Sequence, residues 1–229
     1  MSGTFKIFGT NAFRTVLLDC LPAFESRHGL KTEVDFGATN HTLARMRAGQ
    51  TADLVFATRG ALGELAGEGR IAADTVTVLA EAGVGAAVLA GKAKPDISSV
   101  EALKQTLLNA RSIGHSRAGQ SGIHIAKVIT DLGIADAMRD KITIHPAGLV
   151  AELLVAGKVE LAFQQLSELM AVKGVDIVGP IPDAVQLKTI VAAGVGANTS
   201  RRQEARMLIA ELASPALDHA KRAAGLIPV

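Results

Sequence analysis

The feature that most constrains the fold of this chain is the alternation of short apolar strand patterns with amphipathic helical patterns. The first strand is predicted at Thr4–Phe8, and the helix that follows keeps its apolar residues on one face until Gly29. Comparable strand–helix pairs continue to the helical C-terminal segment. This alternation is typical of α/β proteins with a mostly parallel sheet, so we predict that fold class.

Two strand-to-helix turns near the N-terminus have nearly the same chemistry. The first is Gly9-Thr10-Asn11, and the second is Gly37-Ala38-Thr39-Asn40. Small residues at such a turn leave backbone N–H groups unshielded, and the helix dipole adds partial positive charge there. Each turn therefore predicts an anion site, and their proximity in sequence predicts one pocket built from paired helix N-termini.

Two smooth apolar runs, Gly83–Ala90 and Leu187–Val195, bracket a middle block of the chain. We interpret them as the two connections between a discontinuous lobe 1 (residues 1–81 and 191–229) and lobe 2 (residues 82–190). Two α/β lobes joined by two strands form a hinge, and the ligand is expected in a cleft at the carboxyl ends of the strands.

Composition excludes several classes of function. The 229 residues carry a net charge of only +2 and no Trp or Tyr, which argues against a nucleic-acid-binding protein. Cys20 is the only cysteine and is expected to be a packed structural thiol. No run is long and apolar enough to insert into a membrane. No leader precedes the first strand, so we expect a cytoplasmic protein, or a periplasmic one if a leader has been removed.

No cofactor or metal ion is expected. The chain has no phosphate-binding GxxxxGK motif, no dinucleotide-binding glycine pattern and no nucleophile elbow. The histidines that lie away from the predicted turns are too widely spaced for a metal site: His28, His124, His145 and His219.

The chain resembles the type II periplasmic solute-binding proteins, and most of all their molybdate-binding branch. The resemblance covers nearly the whole sequence, although no single motif is highly specific. The segments that carry it are Thr10-Asn11, Gly37–Asn40, Ala52–Phe56, Gly69-Arg70-Ile71, Ser121-Gly122, Asp131–Ile134, Val150–Leu153 and Gly157–Phe163. A further segment, Phe163–Glu168, is similar to an offshoot of the family that includes aconitate isomerase.

The resemblance implies a two-lobed protein that closes on a small anion, a carboxylate or an oxyanion. A protein of this kind that is exported would deliver its ligand to the permease of an ABC transporter, and we expect it to be a monomer. The family's molybdate binders usually offer serines at the first two turns, whereas this chain has Thr10, Asn11, Thr39 and Asn40. Selectivity for tetrahedral oxyanions is therefore open to question.

The candidate ligand-binding residues lie at the predicted turns. Besides the hydroxyl and amide side chains of the first two turns, a third helix start offers Ser121 and Gly122. Gln164 follows a short strand at the same expected edge. Guanidinium groups bind carboxylates in a bidentate fork, and three arginines are placed to do so: Arg14, Arg59 and Arg117.

The alternative is an enzyme on the same fold, an isomerase of unsaturated polycarboxylates that acts by a proton shift. Its base would be His41, His115 or Glu168. Each of these also has a structural interpretation, since histidines commonly cap helices and the helix dipole favours an acid in the first turn. Sequence alone leaves the binding protein and the isomerase open.

Overall fold

The computed structural model describes residues 4–229, and these divide into two compact units. Unit 1 contains the described residues up to Glu81 together with Ile190–Val229, and unit 2 contains Ala82–Thr189. The chain therefore leaves unit 1 once and returns to it once.

Helices and strands alternate along most of the chain. Up to the first change of unit they are β1 (Phe5–Thr10), α1 (Arg14–His28), β2 (Thr32–Gly37), α2 (Thr39–Arg47), β3 (Leu54–Thr58), α3 (Arg59–Gly67) and β4 (Thr77–Leu89). Those up to the second change are α4 (Val100–Asn109), β5 (Ile113–Ser116), α5 (Gln120–Asp131), α6 (Ala135–Met138), β6 (Ile142–His145), α7 (Glu152–Val155), β7 (Leu161–Gln165), α8 (Leu166–Met170), β8 (Val175–Pro180) and β9 (Lys188–Val195). The last are α9 (Arg202–Ala213), α10 (Asp218–Ala223) and β10 (Ile227–Pro228).

The strands of unit 1 are ordered β2-β1-β3-β9. β1 runs parallel to β2 and β3, whereas β9 runs antiparallel to β3. In the register, Thr10 is opposite Gly37, and Phe8 is opposite Val55 on the other neighbour. The carboxyl ends of β1, β2 and β3 therefore lie at one edge of the sheet, as the strand–helix alternation predicts.

Helix α1 shows why its sequence folds as it does. Its apolar residues Val16, Leu17, Leu21 and Phe24 are buried, and Gly29 ends it in the left-handed conformation at φ 61°. Cys20 is buried on the same side, and its thiol donates a hydrogen bond to Glu211 of α9 at 3.3 Å. Burial and the neighbouring carboxylate raise the pKa of Cys20 to about 12, so the thiol is a structural group, as expected.

The strands of unit 2 are ordered β8-β4-β7-β5-β6. β5 runs parallel to β6 and β7, while β4 runs antiparallel to β7 and β8. One buried apolar cluster includes Ile113, Ile125 and Phe163, and a second includes Val150 and Leu154. The carboxyl ends of the three parallel strands thus form the edge of unit 2 that corresponds to the edge described in unit 1.

Some local expectations are corrected. β1 extends to Thr10, so Gly9 and Thr10 belong to a strand and the turn begins only at Asn11. In the C-terminal segment, which the sequence predicts to be helical from Ser200, the N-cap residue of α9 is Arg201 and not Ser200. Strand β8 was not predicted, since its sequence leads into the proline-containing segment around Pro182. Ser214 does cap a turn, accepting a hydrogen bond from the Ala216 N–H at 3.2 Å.

Candidate functional site

Three strand-to-helix turns meet at the carboxyl edge of the unit 1 sheet. Thr10 ends β1, Asn11 follows it directly, and both residues are buried. Ala38 precedes α2 and has no polar side chain, so the first N–H groups of that helix have no side-chain cap from the N-cap residue. By contrast, Ser99 caps α4 by accepting a hydrogen bond from the Ala102 N–H at 3.1 Å. The N-cap residue of α2 therefore contributes no side-chain acceptor at this helix start.

The second and third turns are linked by two threonines. The Thr58 backbone N–H donates to the Thr39 hydroxyl oxygen at 3.3 Å, and the Thr58 hydroxyl accepts from the Ala61 N–H at 3.3 Å. Thr39 and Thr58 thus have structural roles at this edge. Asn40 and His41 are exposed on the first turn of α2, and Arg59 is exposed at the start of α3. Arg14 begins α1 and is half-buried.

The three candidate arginines differ from the other arginines in their ion pairs. Of the thirteen arginines, ten lie within 4.0 Å of an Asp or Glu oxygen. Within residues 4–229, the structure shows no such carboxylate partner for Arg14, Arg59 or Arg117. These three are the arginines that the sequence placed at strand-to-helix turns. Each keeps a guanidinium able to bind an anion from solution.

The corresponding edge of unit 2 is formed by β6, β5 and β7. Ser116 is opposite His145 in the register, and His115 is opposite Phe163. The Arg117 N–H donates to the His145 carbonyl at 2.9 Å, which holds the start of the loop before α5 against β6. The N-cap residue of α5 is Gly119, which has no side chain to cap the helix. Arg117, Ser121 and Gly122 are therefore brought together around the start of α5.

Several buried polar atoms at this edge have no hydrogen-bond partner among the described residues. They are Ser116 Oγ, His145 Nε2, Gln165 Oε1 and Ser167 Oγ, and the side chains of Ser116, Gln165 and Ser167 are at least nine-tenths buried. Buried polar groups are almost always paired in folded proteins, so four unpaired atoms in one region require an explanation. A bound ligand would provide one. Ser116 and Ser167 are absent from the residues predicted above, although a polar residue at the last position of an apolar strand was the available signal for Ser116.

Gln164 has a role that sequence did not show. Its Oε1 accepts a hydrogen bond from the Val150 N–H at 2.7 Å, and its Nε2 donates to the Gly148 carbonyl at 3.3 Å. The side chain is 2% exposed. Gln164 thus supports the segment before α7 and does not present an unpaired amide.

Two of the three candidate bases lie in unit 2. His115 is buried, and its Nδ1 is 3.0 Å from the Ser116 carbonyl oxygen. Glu168 is buried in α8, and desolvation raises the pKa of its carboxyl to about 7. Hydrogen bonds from Gln165 and Gln164 lower this pKa, but their effect is smaller than that of desolvation. Glu168 therefore changes protonation near neutral pH, as a general acid or base must. His41 lies in unit 1, exposed on α2.

Other cavities lie away from the two carboxyl edges, and two of them are lined by both acidic and basic residues. A cavity of about 450 Å³ in unit 1 is lined by Lys6, Asp53 and Thr199, near the amino ends of β1 and β3. Asp53 already accepts hydrogen bonds from the Lys6 N–H and the Thr199 hydroxyl. A cavity of about 860 Å³ in unit 2 is lined partly by Arg111 and Glu160, which pair with each other at 3.3 Å. Since these charged groups are satisfied by the protein itself, neither cavity has the chemistry of the two carboxyl edges.

The described residues contain no group of His, Cys, Asp and Glu side chains that could hold a metal ion. Nor is any helix between residues 4 and 229 both long and apolar enough to cross a bilayer.

Comparison with known proteins gives consistent results. A sequence model of a family described as bacterial extracellular solute-binding protein matches residues 5–227. An aconitate isomerase from a Pseudomonas species is 32% identical over 232 residues, covering 99% of this chain and 88% of that protein.

Two solved structures share the fold at low sequence identity. The periplasmic molybdate-binding protein of Azotobacter vinelandii matches with a TM-score of 0.82 and 17% identity, covering 98% of this chain and 99% of that one. The sulfate-binding protein SubI of Mycobacterium tuberculosis H37Rv matches with a TM-score of 0.76 and 17% identity, covering 99% and 87%. These similarities confirm the two-lobed α/β fold and the resemblance that the sequence predicted.

Proposed function

Because the chain belongs to the family of bacterial extracellular solute-binding proteins, we propose that it binds a small anion carrying more than one negative charge, preferably a polycarboxylate. The observation that carries this proposal is that Arg14, Arg59 and Arg117 have no carboxylate partner among the described residues, whereas the other ten arginines do.

Arginine supports a polycarboxylate over a tetrahedral oxyanion for a geometric reason. A planar guanidinium matches a planar carboxylate with two parallel hydrogen bonds, so several arginines suit a ligand with several carboxylates. The uncapped starts of α2 and α5 and the orphan hydroxyl of Ser116 supply neutral donors for the remaining ligand oxygens. In this proposal Thr10, Asn11 and Asn40 bind ligand oxygens at the carboxyl edge of unit 1, and Ser121 and Gly122 do so at the carboxyl edge of unit 2.

Transport is the proposed context of this binding. In an exported form of the protein, the partner is the permease of an ABC transporter, and the compartment is the periplasm. The ligand-bound protein is proposed to act as a monomer.

The test is to measure thermal stability and calorimetric binding with trans-aconitate, molybdate, sulfate and acetate in the same buffer. A ligand at 100 times its Kd stabilises a protein by about 2.7 kcal/mol, so the class of ligand is read directly from the melting temperature. We expect the largest shift with trans-aconitate. A larger shift with molybdate or sulfate assigns the site to tetrahedral oxyanions, and the absence of any shift with all four anions contradicts the proposal.

A second candidate function is supported by the isomerase relative and by Glu168. An isomerase of an unsaturated polycarboxylate removes a proton from one carbon and returns it to another while the double bond moves, so the atoms balance without a co-reactant. Glu168, with a pKa of about 7, has the proton affinity that this shuttle requires, and His115 is a second buried candidate in the same unit.

Proton NMR of trans-aconitate incubated with the protein distinguishes the two functions. The isomerase is supported if cis-aconitate appears with the unaltered protein and does not appear with a Glu168→Gln variant that still binds trans-aconitate. Binding without conversion leaves the solute-binding function alone.

A further inference from the structure

We propose that Phe36 is a positioning residue for the ligand: its ring holds the Arg14 guanidinium at the carboxyl edge of unit 1 and thereby contributes to selectivity for multiply charged anions. The inference rests on the proposed function and deepens it, since it identifies what orients the Arg14 guanidinium for ligand binding in place of a carboxylate partner.

The geometry that supports this is a stack of three residues on one face of the sheet. Arg14 Cζ lies 4.4 Å from the centre of the Phe36 ring. Gly9 is opposite Phe36 in the register of β1 and β2, and a Cβ atom on Gly9 would come within 2.7 Å of the ring. The absence of a side chain at position 9 therefore makes room for the ring beneath Arg14.

A second stack on the other face of the same strands shows the contrasting arrangement. Arg45 Cζ lies 3.9 Å from the centre of the Phe8 ring, and its guanidinium also pairs with Asp35 at 2.5 Å. Phe8 is opposite Asp35 in the register, one residue before the Gly9–Phe36 pair. Arg45 thus contacts both a ring and a carboxylate, whereas among the described residues Arg14 contacts a ring and has no carboxylate partner.

The charge of Arg14 has no other partner in the described structure. Among residues 4–229, the structure shows no hydrogen bond and no ion pair for its guanidinium. A cation over an aromatic face is attracted by the ring quadrupole, and the attraction limits the rotamers of the long side chain. Stacking uses the face of the guanidinium and leaves its in-plane N–H groups available for a bidentate carboxylate. Phe36 lowers the entropy cost of binding in this arrangement.

The experiment is a double-mutant cycle measured by calorimetry with trans-aconitate, using Phe36→Leu, Arg14→Gln and the combined variant. We expect Phe36→Leu to weaken binding about fivefold when Arg14 is present, which corresponds to the strength of an exposed cation–π contact. The same change in the Arg14→Gln background is expected to have no effect. Phe36→Tyr keeps an aromatic face and is expected to restore the affinity.

Selectivity gives a readout that a purely structural role would not change. Phe36→Leu is expected to weaken trans-aconitate binding more than acetate binding, and Arg45→Gln serves as the control because its stack is already neutralised by Asp35. If Phe36→Leu fails to fold, Gly9→Ala displaces the ring with both Arg14 and Phe36 present and is expected to reproduce the loss. The inference is overturned if Phe36→Leu weakens trans-aconitate binding equally with Arg14 and with Arg14→Gln, or if it does not weaken binding at all. If the unaltered protein binds none of the anions, the proposed function itself fails.

Discussion

The backbone carbonyl oxygen of Ser116 lies 1.9 Å from the point that a Cβ atom on Gly122 would occupy. The same Cβ would be 2.5 Å from Ser116 Oγ. Helix α5 can therefore approach the end of β5 this closely only because position 122 has no side chain. This contact places the first turn of α5 beside the orphan Ser116 hydroxyl.

Gly122→Ala is accordingly expected to destabilise the protein by about 3 kcal/mol, since backbone must move to relieve the overlap. Chemical denaturation measures the effect. The matched control is Gly63→Ala in α3, where a Cβ atom would meet nothing within 4 Å. That control is expected to gain about 0.5–1 kcal/mol from helix propensity. Equal stability of the two variants would contradict the close approach.

Arg59→Gln and Arg117→Gln are each expected to weaken trans-aconitate binding by about tenfold or more. The reason is the loss of a charge-assisted hydrogen bond of about 1.5–3 kcal/mol. Neither change breaks an ion pair in the described structure, so unfolding free energies should shift by less than about 0.5 kcal/mol. Arg139→Gln, which breaks only the exposed pair with Asp136, is the control for total charge. An equal loss of affinity in the control would mean that the arginines act through net charge alone.

Glu168 makes stability depend on pH in a direction opposite to that of most carboxylates. Its pKa is raised from 4.5 to about 7 by burial, so the folded state holds a proton that the unfolded state has lost between these values. Stability therefore falls as pH rises from about 4.5 to 7, and the penalty is complete above 7. It amounts to about 3 kcal/mol at 1.36 kcal/mol per pKa unit.

Glu168→Gln is expected to remove this dependence, which denaturation at a series of pH values would measure. Glu25 provides a contrast of opposite sign, because hydrogen bonds from Thr32 lower the pKa of its carboxyl. Its contribution is present above its unfolded pKa and is lost as pH falls. A Glu168→Gln profile that is parallel to the original would show that the carboxyl is not the source of the slope.

Gln164→Ala is expected to cost about 1–3 kcal/mol, because it leaves the buried Val150 N–H without an acceptor. Gln105→Ala is a suitable control, since that amide donates only to Glu101 on an exposed face of α4 and its loss should be within about 0.5 kcal/mol. Urea denaturation of both variants distinguishes a supporting role from a ligand-binding one. An unchanged midpoint together with lost affinity would assign Gln164 to the ligand.

The candidate site was predictable from sequence to the extent that local chemistry determines it. Thr10, Asn11 and Arg117 were predicted because small, polar or cationic residues follow strand patterns directly. Parallel strands bring Thr10 and Asn11 to the carboxyl edge of unit 1 and Arg117 to that of unit 2. Ser167 was missed because nothing in its neighbours indicates that its hydroxyl is buried without a partner. Strand β8 was missed because its proline-containing end has the composition of a loop.

Local sequence is sufficient to predict the α/β alternation, the apolar face of α1 and the glycine that ends it, since these depend on residues a few positions apart. Which polar groups are already paired is known only from the folded chain. Gln164 is paired with Val150, and Arg45 with Asp35, whereas the partner that residues 4–229 show for the Arg14 guanidinium is the ring of Phe36. Pairing depends on which distant segments the fold brings within hydrogen-bond range, and no local pattern contains that information.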